Sequence, residues 1–150
     1  MNGGTTMNAA PHMMLIGRVL LALVFLVAGI RKAMAIAGSA GYFTKLGMPM
    51  PEVMVYVAIV IEIGGALLLI LGWQTRRVAW LMILFVAIAT LMAHRFWEFD
   101  AAQYANQMNH FLKNVAIIGG LLYVAVFGPG TVSVDERSGV PGRRTGPVVT

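Results

Sequence analysis

The stretch VMVYVAIVIEIGGALLLILG, residues 53–72, decides the fold. About 20 apolar residues in a row form a helix that just crosses the hydrocarbon core of a bilayer. In its middle stands one carboxylate, Glu62. An ionisable group at that depth is costly and marks a function or a partner. The rest of the chain is read by asking what answers Glu62.

Composition agrees with a membrane setting. The chain is 59% hydrophobic and 11% charged, where a soluble globular domain carries about 25% charged residues. There are no cysteines, which excludes disulfides, thiolate metal sites, iron–sulfur ligation and a thiol nucleophile. The net charge is +5. Its basic residues sit at helix ends and in the tail, so they read as topology signals and not as a nucleic-acid surface.

Outward from residues 53–72, three further apolar runs appear. The expected organisation is a tail over 1–12, a four-helix transmembrane domain over 13–130, and an exposed, irregular C-terminal tail over 131–150. The four spans are expected at about 13–37, 52–72, 76–94 and 101–127. The first is not a signal peptide, because Arg31 and Lys32 follow the run and no positive charge precedes it. Residues 38–51 are expected as a loop with an interfacial turn around Tyr42, Phe43 and Leu46. Pro51 suits the first position of the second helix. Asp100 with Gln103 resembles a capping box, and Gly128-Pro129-Gly130 ends the fourth helix. The fold class is therefore all-α: an integral membrane four-helix bundle with short interfacial segments between helices 1 and 2 and helices 3 and 4. Both termini share the side of the tight turn at 72–77. That side carries Arg18, Arg76, Arg77, Arg137, Arg143 and Arg144, and the opposite side carries Arg31, Lys32, Lys45, Arg95 and Lys113. The balance favours cytoplasmic termini.

Inward faces of membrane helices are marked by small and polar residues. On the first helix they are Arg18, Ala22, Phe25, Gly29 and Lys32. On the second they are Val55, Ala58, Glu62, Gly65 or Ala66, and Leu69. The third carries Ile83, Ala87, Thr90 and His94, with Trp97 a turn beyond. The fourth carries His110, Lys113, Ile117, Gly120 and Val124. Antiparallel packing puts Lys32, His94, Lys113 and Asn114 near the loop side. Glu62 lies about two turns deeper, with Arg18 about 9 Å below it at 1.5 Å per residue. Glu62 is thus expected to pair with Arg18 or Lys113 as a structural ion pair, or to serve a ligand or a proton. The candidate ligand-binding residues are Arg18, Lys32, Glu62, His94, Trp97, Lys113 and Asn114, with Glu62 the candidate for any catalytic role. His94 and His110 lie on different elements and form no metal-binding motif, so no metal site is expected.

The ordered set resembles the DoxX family of small four-helix membrane proteins. Its members are Arg18, Phe25, Gly29 and Lys32, then EIGG at 62–65 with Gly72, Thr75-Arg76, HRFW at 94–97, FLKN at 111–114, Gly119-Gly120, and GPG at 128–130 with Ser133 and Asp135. The resemblance implies a bacterial inner (plasma) membrane protein, a four-helix bundle, and a role in quinone-linked redox chemistry or oxidative-stress physiology. No intrinsic cofactor is expected. A quinone would sit near Trp97, with Lys113, His94 or Asn114 donating to a carbonyl and Glu62 relaying protons, and the electrons would come from a partner protein. The alternative is a non-enzymatic scaffold or assembly factor that holds partner proteins or a second copy of itself, with Glu62 purely structural. A transporter is a third reading, for which four helices are few and no inverted repeat is present.

Overall fold

The computed structural model describes residues 4–138, with side chains from residue 10 onward. Among the described residues four helices are long and apolar enough to cross a membrane. Helix α1 spans Gly4–Met34. A short helix α2, Ile36–Lys45, follows it. Helix α3, Pro51–Leu71, contains a π turn at Val60–Gly64. Helix α4 is Thr75–Ala93, and α5 is Ala101–Phe127. A one-turn helix, α6, closes the described chain at Val134–Arg137. Among the described residues there is no strand.

Three segments differ from expectation. Residues 4–12, expected as tail, continue α1, since only Pro11 interrupts a run of residues that a helix accepts. The first span ends at Met34 and not near 37, and residues 38–45 are helical where a loop was expected, because α1 breaks at Ala35 (φ −138°) and the chain re-enters a helix at once. The start of the C-terminal tail, 131–138, is docked and not free, for reasons given below. Residues 1–3 and 139–150, expected as tail, lie outside the described residues.

The boundaries have local causes. Pro51 occupies the first turn of α3, where its missing N–H does no harm. Gly72, at φ 70°, ends α3: Trp73 N–H donates to Leu68 O (3.1 Å) and Gly72 N–H to Leu69 O (3.3 Å), the paired bonds of a Schellman cap. Asp100 Oδ1 accepts from Gln103 N–H at 3.0 Å and caps α5.

The inward faces of α1 and α3 are those the spacing indicated: Arg18, Ala22, Phe25 and Gly29 are buried, as are Val55, Ala58, Glu62, Gly65, Ala66 and Leu69. On α4 the buried face is Val78, Met82, Val86 and Thr90, turned by about one residue from the expected stripe. On α5 it is Ile117, Leu121 and Ala125. The core joins Ala22, Phe25, Ala66, Leu69, Met82, Val86 and Leu121. Polar residues at the helix ends biased the α4 and α5 stripes toward the loop side.

Gly29 sets the closest approach of α1 to α3. A Cβ there would meet Ile63 Cγ1 at 2.6 Å, Glu62 Cβ at 3.1 Å and the Ile63 backbone N at 3.3 Å. Those atoms cannot swing aside. At Gly65 the obstacle is the flexible Met82 thioether, and at Gly17 nothing lies within 4 Å. Gly29→Ala is therefore expected to lower stability in detergent by about 1–3 kcal/mol, Gly65→Ala by less, and Gly17→Ala not at all. Denaturant titration of the three purified variants checks this order.

Candidate functional site

The polar residues do not form one column. They form two centres at opposite ends of the bundle. Side-chain direction explains the split, because Cβ bonds lean toward the N-terminus of a helix. On α1 that direction is the terminal side, so Arg18 leans away from Glu62 while Lys32 leans down toward it. On the antiparallel α3, Glu62 leans up toward the loop side and meets Lys32.

The loop-side centre holds this pair. Lys32 Nζ donates to both Glu62 oxygens, at 2.8 and 2.9 Å. Glu62 is 5% exposed, so the pairing is what allows a charge at this depth. Glu62 also lies inside the π turn of α3. Such single turns widen the helix and recur at functional sites. The sequence gives no local sign of it. The expected partners Arg18 and Lys113 are both replaced by Lys32.

The pair borders a cavity of about 590 Å³, within the range of small-molecule sites. Its walls are mostly apolar, with Phe25, Ala58, Ile61, Phe85, Val86 and Ile117 prominent. Across from Lys32 and Glu62 stand His94, His110, Lys113 and Asn114. His94 Nδ1–H donates to Gln107 Oε1 (2.8 Å), leaving Nε2 as an acceptor in the neutral ring. The His94 and His110 rings stack with centroids 5.0 Å apart. Lys113 Nζ donates to His110 Nδ1 at 3.2 Å. Asn114 Nδ2 donates to Thr90 Oγ1 at 2.9 Å, and Thr90 in turn donates to Val86 O at 2.6 Å. Tyr42 and Phe43 from α2 form the rim. Burial pushes the Tyr42 phenol above its ordinary value, so it stays a neutral donor. Val24, Val57 and Ile88 line the cavity and are also exposed on the outer surface. The cavity thus opens sideways, toward the lipid.

Of the residues singled out in the sequence, Lys32, Glu62, His94, Lys113 and Asn114 line this cavity. Trp97 does not. It is 55% exposed and packs edge-on against Phe96 and Phe111, and the ring surfaces in the cavity are Phe25, Phe43 and Phe85 instead. Arg18 lies in the other centre. His110, which is on the same expected face as Lys113 but not among the candidate ligand-binding residues, also lines the cavity.

The terminal-side centre is closed. Arg18 is 2% exposed. Its guanidinium donates to Pro129 O, to Val132 O (2.9 Å) and to Ile70 O (3.2 Å). Asp135 accepts from Gln74 N–H (2.8 Å), Thr75 N–H (2.9 Å) and Thr75 Oγ1–H (2.8 Å). It caps the N-terminus of α4 from a distant part of the chain, satisfying donors no helix bond reaches. Gln74 is left-handed (φ 51°), and this clamp holds it there. Asp135 N–H also donates to Gly72 O at 2.9 Å. A Cβ at Gly72 would run into Ser133 and the Arg18 guanidinium. The tail is therefore a lid sewn onto the tight turn.

A comparison with known families adds a decisive match: the DoxX family profile covers residues 13–95, more than half of the chain. The chain belongs to the DoxX family. It is 36% identical over 129 residues to the inner membrane protein YphA of Escherichia coli K12, spanning 86% of this chain and 92% of YphA. It is 34% identical over 122 residues to the inner membrane protein YqjF of the same strain, spanning 81% and 88%. A Surfeit locus protein 4 homolog of Schizosaccharomyces pombe is 27% identical over 132 residues, which is 87% of this chain and 39% of that protein. No solved structure matches the chain. This DoxX-family chain is an integral membrane protein whose E. coli relatives are inner membrane proteins. The residues that carry the resemblance in the sequence fall into the two centres: Arg18, Gly72, Thr75 and Asp135 in the clamp, and Lys32, Glu62, His94, Lys113 and Asn114 at the cavity.

Proposed function

We propose that this DoxX-family protein is a membrane subunit of a quinone-linked redox or oxidative-stress system, with the loop-side cavity as its ligand site. The observation that carries the reading is one cavity with apolar walls, polar groups on two facing sides and an opening toward lipid. A quinone has that outline: an apolar ring with a carbonyl acceptor at each end. Bound there, a quinone would supply a two-electron couple, with electrons from a partner protein and two protons from water through the loop-side groups. Lys32 would donate toward one carbonyl, and Asn114 or Lys113 toward the other. Glu62, hydrogen-bonded to Lys32, could hold or release one of those protons at its carboxyl oxygens. The apolar walls exclude water, which strengthens each of these contacts.

The test is purification in mild detergent, analysis of the extracted lipids and titration with a quinone analogue. Copurified quinone, or analogue binding that Glu62→Gln weakens, supports the reading. Absence of both overturns it and leaves the scaffold function, in which the cavity is only packing.

We place both termini in the cytoplasm, from the basic residues on the clamp side. Ser39→Cys, on α2, is then expected to react with a membrane-impermeant maleimide added from outside the inner membrane. Labelling only after the cytoplasm is opened reverses the orientation.

A further inference from the structure

The charges around the cavity do not cancel. Its lining includes two lysines, Lys32 and Lys113, and one carboxylate, Glu62. Lys32 occupies both oxygens of Glu62. All six carboxylate side chains of the sequence lie among the described residues, and the ion pairs within 4.0 Å are Lys32–Glu62 and Arg95–Glu98. Among the described residues Lys113 therefore has no anionic partner. Its polar neighbour is a ring nitrogen of His110, at 3.2 Å.

Depth makes this consequential. Lys113 stands fourteen residues before the end of α5 at Phe127, about 21 Å along the helix axis. A hydrocarbon core is about 30 Å thick, so Lys113 sits within it, in the loop-side third. Lys113 is exposed and can extend toward loop-side water while the cavity is empty, but a ligand that covers its ammonium buries a charge at a cost unless it brings an anion. The surroundings of Lys113 provide no carboxylate within ion-pair distance. His94 is engaged by Gln107 through Nδ1, and His110 accepts from Lys113, which leaves its Nε2–H as a further donor. Asn114 joins them at the same wall. The two histidine rings stack at 5.0 Å beside Lys113.

We infer that the cavity selects an amphipathic monoanion: an apolar ring or chain held between Phe25, Phe85 and Ile117, with one carboxylate, enolate or phosphate head at Lys113 and His110. The inference rests on the proposed use of this cavity as a ligand site, but it does not depend on the ligand being a quinone. A neutral carbonyl only accepts from Lys113 where an anionic head also balances its charge, and a dianion exceeds that single charge.

The experiment uses a ring pair without quinone carbonyls, 2-naphthoate and 2-naphthamide, titrated into the full-length protein in nanodiscs of neutral lipid. Naphthoate is expected to bind about tenfold tighter, from one charge-assisted hydrogen bond. Lys113→Met is expected to abolish the difference, and Lys113→Arg to restore it. Lys45→Met, a charge on the same side but outside the cavity, is expected to leave it intact. Equal affinities, no binding by either probe, or a preference that survives Lys113→Met overturns the inference. Displacement of naphthoate by added phosphatidylglycerol assigns the head to a lipid, and indifference assigns it to a free acid; both carry the same anionic chemistry. The quinone reading stands or falls separately, on the extraction and analogue titration.

Discussion

Lys32→Met is expected to lower the unfolding free energy in detergent by about 3–5 kcal/mol, the typical cost of stranding one partner of a buried ion pair. Glu62, at 5% exposure, would keep a charge with no partner or be forced to take up a proton. The converse change costs less. Glu62→Gln leaves Lys32, whose side chain is 24% exposed, free to stretch toward loop-side water along its own stem. About half the loss is expected, from the two charge-assisted hydrogen bonds. The double variant Lys32→Met/Glu62→Gln should recover most of the Lys32→Met loss, since no unpaired charge remains. Urea or dodecyl sulfate titration of the four proteins closes the cycle. Equal losses for both single variants, or no recovery in the double variant, would show that the pair does not bear the charge burden assigned to it. The double variant is also the one to assay for ligand binding, because it separates a folding role for the pair from a binding role.

The second large effect is expected at the other end. Arg18→Met removes the donors for Pro129 O, Val132 O and Ile70 O. Each buried carbonyl left without a donor costs about 1–3 kcal/mol, and relief from burying the guanidinium offsets part, so the net loss is about 3 kcal/mol. Structure should change too. Without those bonds the GPG segment is no longer drawn onto α1, and Asp135 loses its position over Thr75. Hydrogen exchange at Gln74 and Thr75 is expected to speed up in Arg18→Met, and likewise in Asp135→Ala. Exchange at Lys32 and Glu62 should not change, since the two centres share no side chain. Arg18→Met that left exchange at Gln74 and Thr75 untouched would remove the clamp as an explanation. If it abolished ligand binding while stability held, Arg18 would return to the site.

The contrast between these residues shows why the sequence reading went as far as it did. Glu62 was recognisable because a carboxylate in an apolar run stands out without any knowledge of neighbours. Helical spacing and antiparallel order fix rough depth, and that suffices to put Lys32, Lys113, His94 and Asn114 near the cavity it borders. Arg18 was grouped wrongly because depth alone put it about 9 Å away, while the lean of its side chain carries it the other way. Trp97 stands about one turn beyond His94 in the sequence, which makes it a candidate neighbour of a bound ring. The 3-10 turn at Phe96–Glu98 instead turns it outward onto Phe96 and Phe111. Asp135 was read as part of an exposed tail, since nothing local announces a cap for a helix sixty residues earlier.

By itself the sequence determined the number of spans, their limits within a few residues, the buried faces of α1 and α3, and the depth of Glu62. These follow from bilayer thickness and the 3.6-residue repeat, which act along one helix at a time. Only the tertiary structure decided that Lys32 answers Glu62, that the helix carrying Glu62 widens into a π turn, and that Arg18 and Asp135 close the far end. Those outcomes depend on the rotation of each helix against its neighbour and on the close approach at Gly29. A pair of side chains forms or fails within a few ångströms, a precision that spacing along one chain does not carry.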